Sequence, residues 1–168
     1  DEAPLFSGTN ENTYNNSGSL ELGYDGLIDS ETDFDSIVSL NAIGNVATAG
    51  TYTFAAGLDL GSVKRVRLTT RVTAVSYALT DLVDNRTELV DSWQDVDGND
   101  QAAGDVIVYV ANTDDDPAST SPTWSAWERL DSAEFEARGF KFKAALSTTD
   151  ASFGISVTEL GVDATEIV

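Results

Sequence analysis

The chain has 168 residues, a formal net charge of −20, and no Cys, His or Met. Without Cys or His it has no Ser-His-Asp triad, no Cys nucleophile, no thiolate zinc site and no disulfide framework. Its 29 Asp and Glu against nine Lys and Arg would repel nucleic-acid phosphates and anionic membrane surfaces, and no apolar run approaches the ~20 residues of a membrane-crossing helix.

Residues Asp1–Ser19 are polar and rich in Asn, Gly, Ser and Thr, with isolated Leu5, Phe6 and Tyr14. They read as an extended arm or linker outside the core, leaving residues 20–168 as the folded domain. From Leu20 the chain changes to short alternating runs broken by Gly, Asn and Asp. The candidate strands are Leu20–Tyr24, Phe34–Leu40, Thr51–Ala56, Val63–Tyr77, Asp105–Asn112, Trp124–Leu130, Arg138–Leu146 and Phe153–Val162. Short β segments separated by turn signals predict an all-β, antiparallel β-sandwich of jelly-roll type.

Val63–Tyr77 is the clearest strand. Val66, Leu68, Thr70, Val72 and Ala74 share one face, and Arg65, Arg67, Thr69, Arg71 and Thr73 share the other, which is the period-two pattern of a half-buried strand. Phe140, Phe142, Ala144 and Leu146 repeat the pattern, with Lys141 and Lys143 outward. In the last strand the apolar parity slips between Ile155, Val157 and Leu160, Val162, which predicts a β-bulge near Thr158 and Glu159. Val106–Val110 is apolar on both faces, so a central position between two packed layers is expected. Tyr77–Val90 holds too many β-branched and turn-favouring residues for a stable helix. Asp81–Gly104 is the longest connection without a clean strand, a length usual for functional loops.

Within that connection, Asp95-Val96-Asp97-Gly98-Asn99-Asp100 alternates oxygen ligands around a Gly turn, as the opening of a calcium loop does. The Gly comes too early for an EF-hand and no closing Glu follows, so Asp95, Asp97, Asn99 and Asp100 read either as a calcium site or as a solvated turn. Asp114-Asp115-Asp116-Pro117 reads as a loop opener. Trp93, Trp124 and Trp127 are the candidate ligand-contacting aromatics. Trp124 and Trp127 are three apart, so on a strand they would face opposite ways, one into the core. Lys64, Arg65, Arg67 and Arg71 place four of the nine cations within eight positions. They read either as partners of carboxylates on the same sheet or, at Arg65, Arg67 and Arg71, as a subunit contact. Two carboxylates suffice for a glycosidase, but no pair stands out among 29, and nothing else points to catalysis; the chain reads as a non-enzyme.

The acids are spread along the length rather than gathered in a tail, a distribution that favours solubility in salty water and suggests a marine or halophilic source. The chain opens on Asp1 with no cleavable targeting pattern, as expected of a segment of a longer polypeptide.

Gly26-Leu27-Ile28-Asp29, Phe34-Asp35, Gly50-Thr51-Tyr52-Thr53-Phe54 and Leu58-Asp59-Leu60-Gly61-Ser62-Val63 precede the long alternating strand. Val106–Val110, Thr113–Pro117, Thr123-Trp124-Ser125-Ala126-Trp127, Ala137–Leu146 and Ile155–Val162 follow. This order, spanning most of Gly23–Val162, resembles the C-terminal β-sandwich region of tailed-phage host-specificity proteins, the tail-tip and central-fibre components. The resemblance implies a galactose-binding-like jelly roll at the distal end of a virion tail. It implies a homotrimer that contacts other tail proteins and binds a glycan or protein receptor on the host-cell surface, without membrane insertion. The alternatives are a structural virion component, such as a capsid decoration or fibre-spacing domain, and a calcium-dependent carbohydrate-binding module of a secreted protein.

Overall fold

A computed structural model describes residues 1–23, 46–79 and 104–167. Among these residues the secondary structure is all β, in nine strands: β1 Thr9–Glu11, β2 Thr13–Asn16, β3 Ser19–Leu22, β4 Ala49–Thr53, β5 Leu58–Ala78, β6 Gly104–Thr113, β7 Glu128–Arg129, β8 Ser132–Thr148 and β9 Phe153–Glu166. Every pairing is antiparallel. The strands follow the order β1-β4-β8-β5-β9-β3-β2, with β6 on the other edge of β8, and the sheet curls into a nearly closed barrel.

Two long strands make the curl possible. The first half of β8, Ser132–Ala137, pairs with Lys64–Thr69 of β5, while its second half, Gly139–Thr148, pairs with β6. At the junction the inward set changes parity, from Ala133, Phe135 and Ala137 to Phe140, Phe142, Ala144 and Leu146. A glycine stands at the switch for a steric reason: a Cβ on Gly139 would occupy the space of the Pro117 ring. β5 pairs with β9 from Val66 to Ala78, and the register shifts between Thr73↔Glu159 and Ala74↔Val157. The extra residue is Thr158, where the slipped apolar parity predicts a bulge. The bulge lets Val157, 0 % exposed, and Leu160, 1 %, both face the core although they are three apart.

The core is the shared interior of these layers, built from Leu20, Leu22, Tyr52, Val66, Phe140 and Leu160 among others. Val66 and Leu68 are buried as their alternation predicts, but Val72 and Ala74 on the same face are exposed. Beyond Thr69 the strand has left β8 and pairs with β9 alone among the described residues. The candidate strands at Leu20, Thr51, Val63, Asp105, Arg138 and Phe153 correspond to β3, β4, β5, β6, β8 and β9. Phe34–Leu40 and residues 81–103 lie outside the described residues.

Three expectations are corrected. Asp1–Ser19, read as an arm outside the core, carries β1 and β2 and inserts Phe6, 3 % exposed, edge-on against the Tyr52 ring at 5.7 Å. β1 lies on β4 and β2 lies on β3, the two ends of the strand order, and Asn12 alone separates them. Asn12 adopts φ 52°, a left-handed conformation that Asn tolerates better than most residues. Its carbonyl accepts the Gly23 N–H at 2.8 Å, and Gly50 lacks the Cβ that would collide with that oxygen. The next turn, Ser17-Gly18, has positive φ at both positions, as a tight hairpin requires.

The second correction concerns β6. Val108 and Val110 face the core, but β6 is not a central strand among the described residues. β8 pairs with one edge, and the other edge meets only the two-residue β7 and its flanks. Its second apolar row, Ile107 and Tyr109, is half-buried on the outer surface. The third is Trp124–Leu130, which is strand only at Glu128–Arg129; Ser125 and Leu130 N–H groups bond the Asn112 and Val108 carbonyls at 2.8 Å each.

Two buried carboxylates secure the seam, and both use tyrosine donors. Glu2 accepts a hydrogen bond from the Tyr52 hydroxyl and another from the Ala55 N–H at 3.1 Å; the Tyr52 oxygen in turn accepts the Gly8 N–H at 2.8 Å. Glu21 accepts the Tyr14 and Tyr77 hydroxyls, each at 2.9 Å, and the Asn16 side-chain amide at 3.2 Å. These bonds tie β2 and β3 to β5, and the N-terminal residues to β4.

Phe6→Ala should cost about 3–5 kcal/mol, the usual loss for truncating a buried Phe. Leu5→Ala, at a side chain 76 % exposed, should stay within about 0.5 kcal/mol. Urea unfolding midpoints measure both, and equal midpoints would return residues 1–8 to the role of a loose arm. Burial, then the Glu2 hydrogen bond, pushes the Tyr52 hydroxyl above its ordinary pKa. Its stabilisation is therefore complete below the unfolded tyrosine value of ~10 and is lost as pH rises past it. Tyr52→Phe should destabilise by about 1–3 kcal/mol at neutral pH, with the gap to wild type narrowing above pH ~10. A gap independent of pH would refute this account.

Candidate functional site

Alternation on β8 turns Phe140, Phe142 and Ala144 inward and leaves Lys141 and Lys143 on the outer surface. Register then sets Lys143 opposite Tyr109 and Lys141 opposite Ala111 of β6. The segment after the Asn112–Thr123 loop runs back along the free edge of β6. Its Ser125 N–H donates to Asn112 O at 2.8 Å, and the Asn112 N–H donates to Ser125 Oγ at 3.0 Å. That exchange holds Trp124 and Trp127 over the outer face of β8.

The result is a row in which rings and ammonium groups alternate. Lys141 Nζ lies 4.6 Å from the Trp124 ring centroid and 5.1 Å from that of Trp127. Lys143 Nζ lies 4.7 Å from Trp127 and 5.5 Å from Tyr109. All five side chains are half-buried. Such contacts are worth ~0.5–1 kcal/mol each at a partly exposed site, so they orient the lysines without removing them from water. Neither Trp124 nor Trp127 enters the core, and both approach the same lysine. The expectation that they face opposite ways is thus corrected, because the segment between them is not a strand.

The remaining described cations are used differently. Arg65 and Arg67 both bind Glu134 at 2.7 Å. Arg71 meets Glu159 at 3.2 Å, Asp163 at 2.9 Å and also Asp1. Lys64 pairs with Glu166, Arg129 with Asp131, and Arg138 with Asp59 and Asp116. The stripe Arg65, Arg67, Arg71 is therefore engaged by carboxylates of its own sheet. Lys141 and Lys143 make no ion pair among the described residues.

The Asn112–Thr123 loop is shaped by its acids. Asp116 Oδ1 accepts the Ala118 N–H at 2.9 Å, and Asp115 Oδ2 accepts the Thr123 N–H at 2.7 Å, in keeping with Asp114–Pro117 as a loop opener. Trp93 and the calcium candidates Asp95, Asp97, Asn99 and Asp100 lie outside the described residues. Among the described residues no group of three or more acidic side chains converges as a metal site would require. A cleft between Phe54, Leu58, Phe142 and Val162 opens beside Glu2, but that carboxylate is already held by Tyr52 and Ala55.

Sequence reasoning placed Lys141 and Lys143 on an outer face but attached no role to them, and it assigned Tyr109 to the interior. The signal was available in part: two lysines at alternate positions of an otherwise apolar strand, in a chain with only nine cations. No protein-family model, no curated protein and no solved structure matches this chain.

The Arg67 and Arg65 hydrogen bonds hold the Glu134 carboxyl below its ordinary pKa, and the Arg138 hydrogen bond does the same for Asp59. With folded values depressed, these groups stabilise fully above the unfolded carboxylate values of ~4 and lose that contribution as pH falls further. Glu134→Gln should therefore lower the thermal midpoint at pH 7, with the deficit shrinking below pH ~4. A deficit unchanged down to pH ~3 would show that these ion pairs do not contribute to the acid limb.

Proposed function

We propose that this chain is a non-enzymatic recognition domain of a phage tail fibre or tail tip, which attaches the virion to a host-cell surface. The row Trp124, Lys141, Trp127, Lys143, Tyr109 is the observation that carries the binding reading. It presents aromatic rings at a partly exposed surface, where ring faces stack on sugars and other flat apolar groups. The strand and turn order of Gly23–Val162 supports the tail assignment through its resemblance to tailed-phage host-specificity proteins. The galactose-binding-like jelly roll, the homotrimer and the place at the distal end of the tail belong to the same reading. A trimer bearing several copies of a weak site gains avidity from effective concentration, so no single row has to bind tightly.

The test is saturable binding of the fluorescently labelled chain to intact candidate marine bacteria, alongside its mass in solution. Truncating both tryptophans of a binding hot spot costs upward of ~2 kcal/mol, about 30-fold in affinity. Trp124→Ala/Trp127→Ala should weaken cell binding by at least that factor while the circular dichroism spectrum is retained. Equal binding by the double variant would dismiss the row, and absence of binding to any cell would favour a structural virion component. A chelator arm tests the calcium expectation at Asp95, Asp97, Asn99 and Asp100.

A further inference from the structure

We propose that the row on β8 selects an anionic polysaccharide, whose carboxylate or sulfate groups are bound by Lys141 and Lys143 while its sugar rings lie against Trp124 and Trp127. This rests on the recognition reading above and specifies its ligand class. The first support is the contrast in how cations are used. Lys64, Arg65, Arg67, Arg71, Arg129 and Arg138 are each ion-paired with a carboxylate, Arg65 and Arg67 sharing that of Glu134. In a protein with 29 acids, Lys141 and Lys143 are instead held by rings. A ring quadrupole orients an ammonium group but cancels none of its net charge. The two lysines therefore keep a full positive charge that another molecule can use.

Spacing is the second support. Lysines two positions apart on one strand have Cα atoms ~6.8 Å apart, so they present a short line of charge rather than a point, suited to a ligand with repeating anions. Their rings are interleaved along the same line, so the charged and the stacking contacts would be made by one extended ligand. A third element is the surrounding field. At low salt the whole −20 charge acts on an approaching polyanion, because the screening length is ~30 Å at 0.01 M, whereas at 0.15 M it falls to ~8 Å and only the local pair is felt. Binding should therefore rise from ~0.01 M to ~0.15 M NaCl and fall again toward ~1 M. An ordinary basic patch, with no net repulsion behind it, would show only the fall.

The experiment is titration calorimetry of the full chain against alginate, dextran sulfate and neutral dextran in calcium-free buffer. Binding of alginate or dextran sulfate is expected, with neutral dextran at least tenfold weaker; which polyanion binds separates carboxylate from sulfate recognition. Lys141→Gln/Lys143→Gln should weaken polyanion binding at least tenfold, the paired-arginine double variant K141R/K143R should retain it, and Lys64→Gln should leave it unchanged. Unfolding midpoints measured alongside separate a lost site from a lost fold. Polyanion binding that survives Lys141→Gln/Lys143→Gln, neutral dextran binding as tightly, or no polyanion binding at any salt would each overturn the proposal. If the double tryptophan variant loses cell binding while the wild-type chain ignores all three polymers, only the ligand class falls. If that variant binds cells as wild type does, the row is dismissed as the recognition site and the ligand class falls with it; if the wild-type chain binds no cell, the recognition reading itself falls.

Discussion

Closure of the sheet by its first two dozen residues is the constraint on which the rest of the molecule depends. β4 and β3 end the run of long strands, and each would otherwise present unpaired N–H and C=O groups along an edge. A single residue, Asn12, lets one continuous segment pair with β4 on one side and with β3 on the other. The same segment places Phe6 over Tyr52 and Glu2 beneath its hydroxyl. Hydrogen bonding, ring packing and chain connectivity thus act at one seam, and each fixes the geometry the others need. Everything inside, from Leu20 and Leu22 to Phe140 and Leu160, is enclosed because that seam is shut.

Scarcity of positive charge explains how the polar contacts are arranged. A buried carboxylate left without partners costs several kcal/mol, and nine cations cannot serve all 29 acids of the chain. At Glu2 and Glu21 it uses phenol hydroxyls instead, supported by backbone N–H and amide donors. The arginines go to the surface, where one side chain serves more than one acid, as Arg71 and Arg138 do. Against that pattern, two lysines set among aromatic rings stand apart, and their position on β8 follows from the same alternation that buries Phe140 and Phe142.

Period-two alternation is read directly from sequence, and where it governs, the expectations hold: Val66 and Leu68 inward, Phe140 to Leu146 inward, and the bulge at Thr158 from a slip in parity. Whatever depends on tertiary register is not read that way. Val72 continues the inward set of β5 by sequence, yet it is exposed because β8 has already turned away. The apolar run Val106–Val110 cannot reveal whether its second face meets a layer or an aromatic segment. Asp1–Ser19 has too few apolar residues to look like structure, although Asn16-Ser17-Gly18-Ser19 is a recognisable tight-turn sequence. Trp124 and Trp127 were visible as candidates, but their convergence on Lys141 requires the pairing of β6 with β8 and the non-strand path beside it.

The tyrosine-capped carboxylates at the seam have a bearing on the ionic environments the fold can occupy. Exposed guanidinium–carboxylate contacts fade as electrolyte accumulates, since the screening length shrinks to ~3 Å at 1 M. A hydroxyl donating to a sheltered carboxylate is a contact between neighbouring atoms, with no room for mobile ions between them. Brine would therefore loosen the electrostatic ties on the outside of the barrel and relieve the mutual repulsion of its acids. The joint between Glu2 and Tyr52, and that between Glu21 and its two tyrosines, would stay as they are. The contacts that shut the barrel are thus the ones that salt screens least.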